Sequence, residues 1–84
     1  MTALDTEEYR RFAAALTEVR QAAGVSQREL ARRLGTDQSF VSKYEAGRRR
    51  LDVVEFLRIV AALGVDYTTV LDKVPPGPPR QSVS

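Results

Sequence analysis

The sequence predicts an all-α fold of five short helices, and three observations carry that prediction. Apolar residues recur at spacings of three and four along most of the chain, which is the period of a helix with one buried face. Glycine follows each of the first four helical segments, where it can end a helix. No segment alternates apolar and polar residues over the length of a strand. The 84 residues fit one small domain, which we expect to span residues 1–73.

The first helix is predicted over residues 5–23. Asp5 and Glu8 have the spacing of a capping box, and Thr6 is a competing cap. Gly24 follows the helix and ends it. Its apolar face carries Tyr9, Phe12, Leu16, Val19 and Ala23, and we expect this face to pack in the core.

Two unusually short helices follow. The first covers residues 27–34, with Ser26 as its cap and Gly35 at its end. The second is predicted over residues 37–46, in the stretch TDQSFVSKYEAG, where Thr36 is expected to begin the helix. Its polar face carries Gln38, Ser39, Ser42 and Lys43, which are groups suited to hydrogen bonding rather than ordinary surface Glu and Lys. Val41 and Tyr44 are its inward pair.

The last two helices are predicted over residues 53–63 and about 67–72. Asp52 and Glu55 form a second capping box, Gly64 ends the fourth helix, and Asp66 precedes the fifth. The inward residues of the fourth helix are expected to be Val53, Phe56, Leu57, Val60 and Leu63. Residues 74–84 include the run PPGPPRQSVS, which cannot continue a helix and has little to bury, so we expect a flexible Pro-rich tail.

Charge is concentrated in the middle of the chain. The net charge of the whole chain is only +2, whereas residues 20–50 hold eight basic and three acidic residues. A basic middle between acidic flanks favours a local anionic partner, although an ordinary solvated surface would give the same pattern. The chain has no cysteine and no histidine, which removes disulfides, Cys/His zinc sites and histidine general bases. We therefore expect no cofactor, no metal site and no enzymatic activity.

The two short helices resemble the helix-turn-helix of the lambda-repressor/Cro-like family, also called XRE-type regulators. Counting from Gln27, the family has a small residue fifth, glycine ninth, and aliphatic residues fifteenth and eighteenth. This sequence supplies Ala31, Gly35, Val41 and Tyr44, of which only Tyr44 departs from the family pattern. The resemblance covers residues 16–72 and includes GVSQRELARRLG, SKYEAG and LRIVAALGVD. It implies a compact five-helix lambda-repressor-like DNA-binding domain.

The resemblance also implies roles for individual side chains. The recognition helix 37–46 would enter the major groove of double-stranded DNA, with Gln38, Ser39, Ser42 and Lys43 reading bases. Taken alone, Gln38 would be interpreted as an ordinary polar residue at the start of a helix, and only its place in the motif favours a base contact. Contacts to phosphate are implied for Gln27, Arg28, Arg48, Arg49 and Arg50, and Gln27 would also brace Gln38. Phe40 lies between the reading face and the core, and could touch either DNA or neighbouring helices.

Arg20 and Glu45 match two further positions of the family, at the end of the first helix and at the end of the recognition helix. The resemblance implies a partly buried salt bridge between them that sets the tilt of the recognition helix. We expect its role to be mainly structural.

The function that this resemblance implies is a small transcriptional regulator, most simply a repressor, acting as a homodimer on a pseudo-palindromic operator. Candidate dimer contacts are Val65, Tyr67, Val70, Leu71 and Val74. The alternative is an antitoxin that binds a partner toxin and regulates its own operon. We expect a cytoplasmic protein of bacterial or phage origin, bound to the nucleoid when on DNA. No apolar run approaches the roughly 18 residues of a membrane span, and the N-terminus lacks the features of a signal peptide.

Overall fold

The computed structural model describes residues 6–74, and these form five α-helices without a strand. The helices are α1 (Glu7–Ala22), α2 (Gln27–Leu34), α3 (Gln38–Glu45), α4 (Val53–Leu63) and α5 (Tyr67–Leu71). The predicted all-α class is confirmed. Asp5 as a cap and the tail beyond Val74 lie outside the described residues, so the boundary between domain and tail stays a prediction.

Side-chain caps begin the helices at or near the predicted places. The Thr6 hydroxyl accepts a hydrogen bond from the backbone N–H of Tyr9 at the start of α1, at 3.2 Å. The capping box at the start of α4 is complete, because Asp52 and Glu55 each accept from the other's backbone N–H, at 2.7 and 3.0 Å. Each such cap satisfies a backbone donor that the helix itself leaves unpaired.

The predicted start of the recognition helix was wrong by one residue. Asp37, and not Thr36, is the cap of α3, and its carboxylate accepts from the backbone N–H of Phe40 at 3.3 Å. Thr36 belongs to the end of α2, because its N–H donates to the carbonyl of Ala31 at 3.0 Å. Gly35 allows this closure, since its φ of 72° lies in the left-handed region that other residues avoid.

The core receives side chains from all five helices. α2 packs against α3 and α4, and α1 packs against α3 and α5. The largest fully buried side chains are Leu16, Leu30, Val41, Tyr44, Ile59 and Val70. The predicted inward pair of the recognition helix, Val41 and Tyr44, is therefore buried as expected.

Three residues predicted to face the core are exposed. Ala23 lies at the C-cap of α1, and the buried position in that last turn belongs instead to Arg20. Val53 and Leu57 of α4 are 70% and 43% exposed. They lie at one edge of the apolar arc of α4, whose centre is occupied by Phe56 and Leu63, and the short α5 leaves that edge exposed. Helical periodicity identifies an apolar arc but not how much of it another element covers.

The loop between α3 and α4 is fastened to α1 by one tyrosine. The Tyr9 hydroxyl donates to the carbonyl of Arg49 and accepts from the backbone N–H of Leu51, both at 3.0 Å. Burial is the first cause that raises the pKa of Tyr9 above its ordinary value. The loop that carries three consecutive arginines therefore has a fixed position relative to the helices.

Candidate nucleic-acid interface

α2 and α3 form a helix-turn-helix in which the second helix is held by its inner face. Val41 and Tyr44 on α3 share one cluster with Leu30 and Ala31 on α2. Ala31 is 2% exposed, and its small side chain lets the two helices approach closely. The tertiary contacts of this pair leave the opposite face of α3 in solvent.

Tyr44 is the departure from the aliphatic residue that the resemblance expects. Its ring packs edge-on against Phe40, with the ring centroids 5.4 Å apart. Its hydroxyl is buried and has no hydrogen-bond partner among the described residues. Burial is the main cause that raises the pKa of Tyr44, so the group stays neutral. The aromatic ring fills the place of the aliphatic side chain at the cost of an unsatisfied hydroxyl.

The four predicted base-reading residues lie on one exposed face of α3. Gln38, Ser39, Ser42 and Lys43 are all exposed. At 3.6 residues per turn they cover an arc of about 140°, opposite the buried pair. The helix itself is about 12 Å long at 1.5 Å per residue.

Two of these four side chains are hydrogen-bonded within the protein. The amide nitrogen of Gln38 donates to the side-chain oxygen of Gln27 at 3.2 Å. The Ser39 hydroxyl donates to the Asp37 carboxylate at 2.7 Å, and this hydrogen bond is the first cause that lowers the pKa of Asp37. Ser42 and Lys43 form no side-chain hydrogen bond or ion pair with another described residue. At the start of the reading face, Gln38 and Ser39 are therefore held by hydrogen bonds, whereas Ser42 and Lys43 have no such bond to a described residue.

Arg20 and Glu45 form the ion pair that the resemblance implied. The guanidinium donates from Nε and Nη2 to the two carboxylate oxygens, at 2.7 and 3.0 Å. The side chains are only 10% and 5% exposed. Arg20 also donates from Nη1 to the carbonyl of Val25 at 2.8 Å, which links the pair to the turn between α1 and α2. The hydrogen bond with Glu45 is the main cause that raises the pKa of Arg20.

Gln27 is a second hydrogen-bond partner of Glu45, which the sequence did not indicate. Its amide nitrogen donates to Glu45 Oε1 at 3.0 Å, and its oxygen accepts from Gln38. The spacing of eleven residues between the two glutamines indicated their contact, by resemblance. Nothing in the sequence indicated that the Arg20–Glu45 pair and the two glutamines join in one hydrogen-bonded chain.

The five residues predicted to contact phosphate differ in how many contacts their side chains already make within the protein. Arg28 and Arg48 are exposed and form no ion pair with another described residue. Arg49 pairs with both oxygens of Glu55, at 3.0 and 2.9 Å, and its guanidinium lies 4.8 Å from the centre of the Phe40 ring. The guanidinium of Arg50 lies over the ring of Tyr9, 4.7 Å from its centre.

Phe40, whose direction the sequence left open, packs inward. It is partly buried against the core and contacts the ring of Tyr44 and the guanidinium of Arg49. Arg49 in turn lowers the pKa of Glu55, chiefly through their hydrogen bonds. Glu55 was predicted only as part of a helix cap, because its second partner comes from a loop whose path the sequence does not reveal.

The described residues contain no cluster of acidic side chains that could hold a metal ion. None of the helices in residues 6–74 is long and apolar enough to cross a membrane.

A tight turn at Gly35, a second helix packed by its inner face, and an exposed polar face together define a helix-turn-helix DNA-binding domain. A family model described as a helix-turn-helix domain matches residues 11–72. The chain belongs to this family and, within it, to the XRE-type DNA-binding transcription regulators. Proteins of this family are generally not enzymes.

Solved structures give the same assignment. The chain is similar to an XRE-family like protein from Pseudomonas syringae pv. tomato, with 48% identity, a TM-score of 0.73, and coverage of 80% of this chain and 82% of the other. It is also similar to the restriction-modification controller protein C.AhdI from Aeromonas hydrophila, with 32% identity, a TM-score of 0.71, and coverage of 77% and 98%. The clp gene regulator ClgR from C. glutamicum matches with 27% identity, a TM-score of 0.76, and coverage of 83% and 91%. No curated protein matches the chain.

Proposed function

We propose that the protein binds a specific double-stranded DNA operator through α3 and represses transcription by occupying it. The observation that carries the proposal is the division of α3 into two faces. Val41 and Tyr44 are at most 1% exposed, whereas the opposite arc holds only short hydroxyls, an amide and an ammonium group. A face that served only solubility would not need groups of this kind.

The dimensions and chemistry of α3 suit the major groove. A groove about 12 Å wide accepts a helix, and each base pair offers its own pattern of donors and acceptors there. Gln38 can bond adenine at two atoms, Lys43 can donate to guanine, and the hydroxyls of Ser39 and Ser42 adapt to either role. We propose these four residues as the base readers.

The residues proposed to bind phosphate surround this face. Arg28 and Arg48 are exposed and unpaired within the described residues, so they are available to neutralise phosphate. Gln27 stands at the N-terminus of α2, where backbone N–H groups favour an anion. Arg49 and Arg50, whose guanidinium groups lie over Phe40 and Tyr9, are proposed as further phosphate contacts. Such contacts supply affinity and register rather than sequence preference.

A homodimer would place two recognition helices on one pseudo-palindromic site. Among the predicted dimer contacts, Val70 is fully buried in the core and is therefore excluded as a contact. An apolar groove of about 560 Å³ lies between α4 and α5, and we propose it as the dimer surface. Its lining residues include Leu57, Tyr67 and Leu71, which are 43%, 50% and 45% exposed. Exposed apolar side chains that adjoin one another in this way are typical of protein–protein contact sites.

Selection of binding sites from random duplexes tests the DNA proposal. The purified protein should enrich one sequence with two related half-sites, and binding to it should survive competitor DNA at raised salt. Gln38→Ala should lose preference at one base position per half-site, by about 5- to 150-fold. A wild-type protein that enriches no sequence would remove the proposal.

Sedimentation of two matched variants tests the dimer surface. We expect the wild-type protein to be dimeric at micromolar concentration and Leu57→Glu to be monomeric, because the substitution puts a charge into the groove. Val54→Glu is the control, since Val54 is 57% exposed on the same helix but does not line the groove. A monomeric wild-type protein, or equal effects of the two variants, would contradict the surface. Co-purification of another protein on this groove would favour the antitoxin alternative.

A further inference from the structure

Arg49, in the loop after the recognition helix, is held by contacts with three helices. Its guanidinium lies 4.8 Å from the centre of the Phe40 ring on α3. It also donates to both carboxylate oxygens of Glu55 on α4, at 3.0 and 2.9 Å. The Tyr9 hydroxyl on α1 donates to the backbone carbonyl of Arg49 at 3.0 Å. Both the backbone and the side chain of this loop residue are therefore fixed by other elements.

These contacts leave one edge of the Arg49 guanidinium without a partner. The group carries five N–H donors. Nη1 uses one of its two donors on Glu55 and the other on the carbonyl of Arg50, at 2.8 Å, and Nη2 uses one donor on Glu55. Nε–H and the second N–H of Nη2 have no partner among the described residues. These two donors lie parallel on one edge, which is the arrangement that binds two oxygens of a phosphate.

Two other arginines bind a carboxylate through two nitrogens, and both use this edge within the protein. Arg20 and Arg32 each donate from Nε and Nη2. Arg49 instead approaches Glu55 with its two terminal nitrogens, so its Nε edge is spared. The Arg49 side chain is 42% exposed, so solvent reaches it. A carboxylate partner thus occupies the phosphate-binding edge of Arg32 but not that of Arg49.

Arg49 also stands beside the reading face of α3. Phe40, under its guanidinium, adjoins the end of the reading arc at Lys43, whereas Gln38 lies at the other end. A helix in the major groove has a phosphate backbone on each side. Gln27 contacts α3 at the Gln38 end, so Arg49 is placed toward the opposite backbone.

We propose that the Nε edge of Arg49 binds one DNA phosphate through two hydrogen bonds, and that Glu55 is the positioning residue that keeps this edge available. This role rests on the proposed major-groove binding of α3, and adds the contacting atoms and a residue outside the helix-turn-helix that governs them. A guanidinium already held by a carboxylate and an aromatic ring has less side-chain freedom to lose on binding. The gain from positioning has to exceed the repulsion between the Glu55 charge and the phosphate.

Arg49→Ala and Arg49→Lys separate the paired donors from the charge. Lysine keeps the positive charge but lacks the planar pair of N–H groups. We expect both variants to bind the duplex enriched by selection about tenfold more weakly than the wild-type protein at about 0.1 M salt. Arg32→Lys is the control and should bind like the wild-type protein, because the Nε edge of Arg32 already binds Glu29.

The outcomes of this comparison are distinct. Wild-type affinity in Arg49→Ala would show that Arg49 does not contact DNA. Wild-type affinity in Arg49→Lys would show that Arg49 acts only as a charge. A changed base preference in either variant would mean that Arg49 contacts a base, since phosphate contacts carry no sequence information. Each of these results would overturn the proposal.

A double-mutant cycle tests the role of Glu55. Glu55→Gln keeps an oxygen for the capping box but cannot accept from both terminal nitrogens of Arg49, so the guanidinium can turn. The loss of affinity caused by Arg49→Ala should shrink from about tenfold to less than about threefold in the Glu55→Gln background. Each ratio is taken within one background, so the direct effect of removing the Glu55 charge cancels.

An unchanged Arg49→Ala loss in the Glu55→Gln background would show that Glu55 does not position Arg49. A larger loss would show that Glu55 competes with phosphate, and either result overturns the positioning role. Thermal melting identifies variants that fold, and Glu55→Asp, which keeps the charge on a shorter side chain, replaces Glu55→Gln if that variant does not. Failure of the proposed function is seen separately, as a wild-type protein that enriches no DNA sequence.

Discussion

Arg20 and Glu45 join α1 to α3 inside the protein, whereas Arg32 and Arg33 pair with Glu29 on the exposed side of α2. In both places, a guanidinium nitrogen lies within hydrogen-bond distance of a carboxylate oxygen. The buried pair is 10% and 5% exposed, while the Arg32 and Glu29 side chains are 72% and 34% exposed.

The difference lies in what each pair connects. Arg32 and Arg33 reach back three and four residues along one helix, so their ion pairs constrain only α2 itself. Arg20 and Glu45 are 25 residues apart, and their ion pair joins α1 to the recognition helix. The ion pairs of Glu29 thus lie within one helix and are screened by solvent, whereas the Arg20–Glu45 pair connects two helices and is shielded from solvent.

The largest expected effect is that of Glu45→Ala. It leaves the Arg20 charge inside the protein without its carboxylate, which costs about 3 kcal/mol or more of unfolding free energy. In a domain of this size the melting temperature should fall by more than about 10 °C. DNA affinity should fall with it, because α3 loses the ion pair that joins it to α1.

Glu29→Ala is the matched control for this prediction. It removes a carboxylate with two arginine partners, but both arginines stay in water. We expect its melting temperature to change by less than a third of the change in Glu45→Ala, with little effect on DNA affinity. Equal changes in the melting temperatures of the two variants, measured by calorimetry, would show that burial does not make the Arg20–Glu45 pair more important for stability than the Glu29 cluster.

The same contrast explains what the sequence could and could not predict. Ser26, Asp52 and the glycines after the helices are local features, and they predicted helix ends to within a residue or two. Thr36 was misassigned because its backbone N–H already belongs to the end of α2, although by residue type it suits a cap as well as Asp37 does. A helix cap can be predicted from residue type when only one helix can use the polar groups of that residue.

Contacts between distant elements were predictable only where the resemblance supplied them. Arg20 and Glu45 match positions of a known family, so their contact was expected. The Arg49–Glu55 pair and the exposure of Val53 depend on the path of a loop and on the shortness of α5, which no periodic pattern encodes.

An intermediate effect on DNA affinity is expected when single arginines are replaced by alanine. This effect should differ between arginines with and without a carboxylate partner. Arg48→Ala should weaken binding to all DNA sequences by roughly tenfold at 0.1 M salt, because one phosphate contact and its counterion release are lost. The slope of log affinity against log salt should become shallower by about 1. Filter binding or fluorescence anisotropy across a salt series measures both quantities.

Arg32→Ala is the control, since its guanidinium is already bound to Glu29. We expect its salt slope to stay within experimental scatter of the wild-type slope. If Arg32→Ala lowers the slope as much as Arg48→Ala does, the interface extends over α2, and the paired arginines are not set apart from DNA.

The smallest expected effect concerns the pH dependence of the exposed cluster. Hydrogen bonds from Arg32 and then from Arg33 lower the pKa of Glu29 from its ordinary 4.5 to about 2. Because the folded-state pKa is depressed, the stabilisation is complete above pH 4.5 and is lost as the pH falls towards 2. The melting difference between the wild-type protein and Glu29→Gln should therefore be constant near neutrality and shrink between pH 4.5 and 2.

The other carboxylates with lowered pKa values, those of Asp37, Glu55 and Asp66, titrate in both proteins and cancel in this difference. Salt should reduce the difference at every pH, because solvent and ions reach the Glu29 cluster. A melting difference that grows as the pH falls would mean that the charge on Glu29 destabilises the folded state. A difference that is insensitive to salt would mean that this cluster is shielded as the Arg20–Glu45 pair is, and the contrast between the two regions would then rest on connectivity alone.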